Sequence, residues 1–328
     1  MRKRAIGKII ACSIIGVILT GILFTAIGFG AAGLIDASLP GVSVQKAVNT
    51  IEQSVERLPR VNFSFFGIPV ISDDNLAGYS VGNGAYETAP SEVEIDWATG
   101  KVVIVVSDAA TGVTLTEYAG AVDPTTALPG GIEEQDQMRH KLSNGKLSVR
   151  EFGSVAATWN TIKKTLYVVL PQSQLDELSL EIAAAGVELV DLNADKLDIE
   201  CASGDLTAKN CAFTSVDYDV ASGSGEFTGT VIRTLDVDCA SGKLTFDLLN
   251  TPDSVDVDLA SGNVRFVLPA DASFTVDSDM LSGSVWIDGF AIESDHNGHK
   301  VVNGGLGRFD FDMTSGKITI EARSGNTF

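Results

Sequence analysis

Between Leu197 and Ile320, apolar and acidic residues alternate in six nearly identical runs, each closing on a serine and a glycine. The copies are LDIECASG, VDYDVASG, LDVDCASG, VDVDLASG, VDSDMLSG and FDFDMTSG, with glycines at Gly204, Gly223, Gly242, Gly262, Gly283 and Gly316. Alternate residues of a strand share a face, so Leu197, Ile199 and Cys201, then Val216, Tyr218 and Val220, then Leu235, Val237 and Cys239 are expected to point into a core. Ser278 is the one clear break in this inward set. A second alternating run follows the glycine and turns Leu206 and Ala208, Leu244 and Phe246, Val264 and Phe266, Val285 and Ile287, and Ile318 and Ile320 to the same side. The glycines stand 19, 19, 20, 21 and 33 residues apart. A strand-rich period near 20 predicts an all-β chain coiled into a β-solenoid of the single-stranded β-helix kind, in which no unit buries its apolar face alone. The coil is expected to be right-handed, and each unit to run strand, sharp Ser-Gly turn, strand, return. Glycine suits the tight corner and small residues leave room for the next level. The six serines do not read as nucleophiles, because no histidine stands at a matching position in any copy.

The same alternation begins earlier, at VEIDWATGKVVIVVS from Val93, and continues through VTLTEYA. KLSNGKLSVREF follows as a hairpin turning on Asn144-Gly145, and TLYVVLP and LSLEIAAAGVELVDLN lead into the repeats. The copy at Ala185-Gly186 is out of phase by one residue, as a terminal unit can be. Residues 93–328 therefore read as one β-solenoid domain.

The N-terminal quarter follows other patterns. From Ile9 to Ile35 there are 27 residues without a charge, ~40 Å if helical against ~30 Å of hydrocarbon. Arg2, Lys3, Arg4 and Lys8 precede this run, so residues 1–38 read as a cytoplasmic basic tip and transmembrane helix that send the remainder outside. A cleaved signal peptide competes through Gly30-Ala31-Ala32, but the run exceeds the roughly 7–15 residues of a signal core, which favours a retained anchor. Cys12 comes too early for a lipoprotein box. Val44, Val48, Ile51, Val55 and Leu58 recur at helical steps and predict an amphipathic spacer helix over 39–60, too short for a persuasive coiled coil. Residues 61–92 read as an irregular linker with at most one strand.

Charge narrows the partners. The chain carries 43 acidic against 23 basic side chains, a net charge of −20, and four of the basic ones belong to the cytoplasmic tip. The outer domain should repel nucleic acid and anionic lipid. Its expected place is the bacterial cytoplasmic membrane, single-pass, N-terminus inside and β domain extracytoplasmic.

IDWATGKVVI, a hairpin like KLSNGKLSV, TLYVVLP, repeated DxASGxL units and a final GRFDFDMTSGKITI together resemble the bacterial putative-adhesin β-strand-repeat family over Val93 to Ile320. The resemblance implies a β-solenoid on the outer side of a bacterial envelope, often behind one N-terminal span. Its motifs are structural and bring no binding residues with them. The 33-residue step, with FAIESDHNGHKVVNGG inserted, departs from the repeat and predicts a protruding loop.

Candidate chemistry lies between the apolar positions. Asp198, Asp217, Asp236, Asp256, Asp277 and Asp310 form one outward column and Glu200, Asp219, Asp238, Asp258, Asp279 and Asp312 the other. Stacked ~4.8 Å apart, neighbouring carboxylates repel by about 1 kcal/mol before salt screening. Water, counterions and lysines on adjacent faces answer that repulsion in one reading, and Ca2+ in the sharper one, since calcium accepts six to eight oxygens. An enzyme reading, a divalent-cation-dependent polysaccharide lyase or hydrolase of β-helix type, would need one level to differ. Arg265 near Asp258 is the only basic neighbour just after Gly262. The uniform ladder favours a non-enzymatic protein for adhesion, binding or envelope-stress sensing, with an envelope protein or a cell-surface glycan as partner. In the insert, Asp295, His296 and His299 are candidate ligands for a metal or partner, against a plainly solvated loop. Trp286 is expected to face outward as a stacking aromatic unless the insert covers it. Cys201 and Cys239 share a column two levels, ~9.6 Å, apart, beyond disulfide reach, so buried free thiols are expected, with a Cys211 pairing left open.

Overall fold

The computed structural model describes residues 76–324, apart from 121, 128–129, 153–162, 173 and 297–298. The anchor, the spacer helix and residues 61–75 of the linker lie outside the described residues. Among the described residues no helix is long and apolar enough to cross a membrane, and the one helical element is a 3-10 turn at Glu134–Asp136. Everything else is strand or connection.

Seventeen strands join one sheet that does not close. In chain order they begin with β1 (Ser80–Val81), β2 (Gly84–Tyr86), β3 (Glu92–Ser107), β4 (Val113–Ala119), β5 (Arg139–Ser143), β6 (Lys146–Arg150) and β7 (Lys164–Pro171). The long strands β8 (Gln174–Val190), β9 (Asn193–Lys209), β10 (Ala212–Leu248) and β11 (Ser254–Leu268) carry most of the repeats. The chain ends through β12 (Phe274–Met280), β13 (Ser284–Asp288), β14 (Ile292–His296), β15 (His299–Val302), β16 (Gly307–Met313) and β17 (Lys317–Ala322).

Parallel pairing stacks these strands level upon level. β3 pairs with β8, β8 with β9 and β9 with the first half of β10, always in register, so that Val216 lies against Leu197 and Leu197 against Leu178. Val231 N–H donates to Cys211 C=O and Leu249 N–H to Thr230 C=O, which sets the second half of β10 on the first. That second half pairs in turn with β11. Inward residues of successive levels then touch. Phe227 and Phe246 stack at 5.0 Å, Phe246 and Phe266 at 5.3 Å, and Phe274 and Phe309 at 5.0 Å. Leu206, Leu244, Val264, Phe266, Ile318 and Ile320 are all buried.

Three features differ from the sequence expectations. First, in four of the six copies Ser-Gly does not end a strand: β9, β10 and β11 run straight through it, and Ser222 and Gly223 pair with Ser203 and Gly204 as ladder members, whereas at Gly283 and Gly316 it separates β12 from β13 and β16 from β17 as expected. In those four copies the corner is a bend inside a continuous strand, and glycine is there because the levels approach closely. A Cβ on Gly204, where φ is not positive, would stand 2.3 Å from Ala185 C=O, and one on Gly262 would stand 2.4 Å from Gly242 C=O. The out-of-phase copy follows, since Ala185 rather than Gly186 occupies the glycine column, against Gly100.

Second, the last levels are not in chain order. β11 pairs with β16 and β17, and these pair with β12 and β13, so the final repeat slots between the fourth and fifth. Ser278 and the exposed Met280 thus belong to the outermost level, at the end of β12 beyond the stretch from Phe274 to Asp277 that β15 covers, and the serine's departure from the apolar rule is tolerated there. At the other end, β6 and β7 stack outside β3, while β8 takes its opposite edge.

Third, the linker segment contributes strands. β2 pairs antiparallel with β4 and β1 with β5, and β4 and β5 in turn cover β7 and β6. Asn144 (φ 53°) and Gly145 (φ 82°) turn the β5–β6 hairpin as expected. Cys201, Cys211 and Cys239 are buried free thiols, and burial pushes Cys201 and Cys211 up to about 11.

Candidate functional site

The period-2 alternation that buries the apolar columns leaves the intervening carboxylates on the outer face. Register places Asp96, Glu181, Glu200 and Asp219 in one file. It continues through Asp238, Asp258, Asp312 and Asp279. The file therefore reaches two levels beyond the six repeats, and its last two members appear in the order Asp312 then Asp279. The parallel file runs Glu94, Ser179, Asp198, Asp217, Asp236, Asp256, Asp310, Asp277, broken only by Ser179. The sequence held the signal for the extra levels in VEID and LSLE, which repeat the apolar-acidic alternation without the Asp-x-Asp spelling.

Cations sit at the ends and one flank of this wall. Arg150 binds Glu94 at 2.5 Å and also contacts Asp96, while Lys146 binds Glu94 at 2.7 Å. Lys196 bridges Glu177 at 3.1 Å and Asp198 at 2.5 Å. At the far end Arg308 holds Asp310 at 3.0 Å and His299 Nδ1 meets Asp277 at 2.7 Å. Proton affinity follows position. Burial, opposed by Arg150 and reinforced by Glu181 and Glu94, pushes Asp96 up to about 7. Burial and neighbouring acids also raise Glu181, Glu200 and Asp312. Glu94 goes the other way, because its bonds from Lys146 and Arg150 outweigh burial. These four carboxylates thus bind protons more readily than isolated ones do, first through burial and then through their acidic neighbours.

The insert is an antiparallel hairpin, β14 on β15, which extends the sheet from β12. It brings His296 opposite His299 and Asp295 opposite Lys300, the latter pair bonded at 2.5 Å. His299 is drawn to the wall through Asp277, so the three insert residues do not converge. Among the described residues no group of three or more His, Cys, Asp or Glu gathers as a metal set. Trp286 lies on β13, away from the hairpin, 61% exposed, with Lys317 Nζ 6.0 Å from its ring centre. Arg265 is taken by Glu321 at 2.6 Å.

In sequence, the chain matches the profile of a family described as Toastrack DUF4097 over residues 93–324, in keeping with the resemblance to the adhesin-type β-repeat family. No curated protein matches it. Similar solved structures include a putative cell adhesion protein from Clostridium sporogenes ATCC 15579, 11% identical over 74% of this chain and 100% of that chain, TM-score 0.34. A putative adhesin from Bacteroides fragilis NCTC 9343 is 12% identical over 74% of this chain and 97% of its own, TM-score 0.41. Another from Parabacteroides distasonis ATCC 8503 is 15% identical with the same coverages, TM-score 0.38.

Proposed function

Because the chain belongs to the Toastrack DUF4097 family, we propose that it is a non-enzymatic protein of the bacterial cell envelope. In this reading residues 9–35 hold it in the cytoplasmic membrane, and a right-handed β-solenoid stands outside as a binding surface for adhesion or envelope-stress sensing. The observation that carries the reading is the continuous carboxylate file from Asp96 to Asp279. A site for chemistry needs one level to differ from its neighbours, whereas a surface that grips an extended cationic partner needs repetition. Arg265, the basic residue nearest a catalytic reading, is already engaged by Glu321. The wall is screened by diffuse counterions in this account, with Ca2+ as one of several cations rather than a resident cofactor. An envelope protein or a cationic cell-surface glycan is the partner class.

The test is capture from bacterial membranes by the full chain, with and without millimolar calcium, against a variant carrying Asp217→Asn, Asp236→Asn, Asp256→Asn and Asp310→Asn. Capture that weakens on neutralisation and on added salt is expected. Capture indifferent to both would remove the wall from the function. Incubation with wall polysaccharides should give no new reducing ends or unsaturated products. A product that disappears with Asp258→Asn would replace the binding reading with an enzymatic one.

A further inference from the structure

The two ends of the stack are finished differently. At the β6/β7 end each half-level is followed by two antiparallel strands, β5 and β1 over β6, and β4 and β2 over β7. At the opposite end β12 receives β15 and β14, whereas β13 pairs with β17 on its inner side and with no other strand among the described residues. The same edge leaves the core incomplete. Val285 and Ile287 stand in columns that are buried in the level beneath, at Ile318 and Ile320, yet they are only half-buried. Leu281 (88%) and Trp286 (61%) are exposed beside them. β13 contains no proline and pairs without a bulge, so it lacks two of the devices that usually blunt an edge strand, though it is short and ends on a charge at Asp288.

We propose that this edge is a dimer interface, in which β13 pairs antiparallel with β13 of a second copy about a two-fold axis through Trp286. The backbone prescribes that centre. Ser284 N–H donates to Gly316 C=O on the inner side. Alternate residues of a parallel strand bond to alternate sides, so the amides and carbonyls of Val285 and Ile287 look outward. Centring on Trp286 sets Val285 against Ile287 of the second copy, and Ile287 against its Val285. Each pair exchanges two hydrogen bonds, and all the free groups are used.

The side chains agree with this register. Val285 and Ile287 continue each other's apolar column, and the two Trp286 rings meet at a non-hydrogen-bonded pair, where side chains are closest. Ser284 meets Asp288 of the second copy, and Lys317, beside Ser284 on the inner strand, reaches across the small serine toward that carboxylate. Among the described residues Lys317 acts on Glu321 without a close ion pair and Asp288 makes none, so the dimer supplies each with a close partner. This complementarity is with itself, and an isologous interface requires that. The strand is short, and the association is expected to be weak in dilute solution and favoured when copies are concentrated on a surface.

The test uses the full chain with Cys12→Ser and Trp286→Cys. At a non-hydrogen-bonded antiparallel pair the Cα atoms lie about 4.5 Å apart, within disulfide reach. Oxidation is expected to trap a covalent dimer in far higher yield than Leu249→Cys, an exposed position remote from the edge. Adding Val285→Pro, which removes an outward N–H and leaves the bonds to β17 intact, should abolish the trapping. Asp288→Lys should weaken it and Asp288→Lys with Lys317→Asp restore it. Trapping no better than the Leu249→Cys background overturns the proposal, as does survival of the dimer in Val285→Pro. A disulfide from position 286 to a different protein, or to another segment of the same chain, would also overturn it.

Discussion

At the scale of single residues, the repeated glycine is a contact residue before it is a turn residue. Gly262 combines a φ of 144° with a Cβ position 2.4 Å from Gly242 C=O, so alanine there meets both a disfavoured backbone and a rigid carbonyl of the next level. Gly186 is the internal control, because its added Cβ would find its nearest atom at 3.9 Å, an ordinary contact. Gly262→Ala is expected to lower stability by about 1–3 kcal/mol, the usual cost of forcing a side chain into such a site. Gly186→Ala should cost no more than a few tenths. Chemical denaturation of both variants checks the pair, and equal losses would show that neither the close approach nor the φ at Gly262 selects the glycine. The serine beside it gains no chemical role from the structure. It pairs with the serine of the next level as part of the ladder.

At the scale of elements, the cap depends on one buried ion pair. Lys164, at the start of β7, and Glu117, in β4, are both removed from solvent and meet at 3.1 Å. Lys164 Nζ also donates to the carbonyls of Asp136 and Phe152, and Glu117 Oε2 accepts from Met138 N–H at 2.9 Å. Replacing one partner strands the other, so Lys164→Met should destabilise by about 3–5 kcal/mol. Lys164→Met with Glu117→Leu should recover part of that loss. If the double variant unfolds as readily as the single one, the pair is not the unit that matters. None of this was legible in the sequence, because Lys164 and Glu117 are 47 positions apart with nothing periodic to relate them. The apolar columns were legible, since strand alternation leaves Leu197, Ile199 and Cys201 one face to occupy. The order of the levels was not, because six copies of one pattern satisfy the alternation in any stacking order. Two marks of the true order did stand in the chain. The 33-residue step leaves room for the hairpin that carries the last repeat back, and Ser278 marks the fifth copy as the terminal level.

At the scale of the molecule, the carboxylate file makes stability respond to pH in an unusual direction. Asp96 has its folded pKa raised to about 7 from a reference of 3.8, and Glu181, Glu200 and Asp312 are shifted the same way by burial and like charges. A raised carboxyl pKa means that the folded state holds its proton where the unfolded chain has released it. The corresponding stability is complete below the unfolded pKa and is lost as pH climbs through the folded one. Between pH 5 and pH 8 the file should therefore withdraw stability as pH rises, by a few kcal/mol from Asp96 alone at ~1.4 kcal/mol per unit. Glu94 and Glu321, whose pKa values are lowered by basic partners, lose their contribution only in stronger acid. His140 opposes the file, since burial depresses its pKa below 6.5 and protonation in mild acid disfavours the fold. The clean measurement is consequently a difference, the melting temperature at pH 5 minus that at pH 8, in the unaltered chain and in Asp96→Asn. The unaltered chain should show the more positive difference by several degrees, and the asparagine variant should gain most at pH 8, where Asp96 is ionised. Parallel profiles for the two chains would mean that Arg150 fully compensates Asp96, and that the wall costs the folded state nothing at its most buried point.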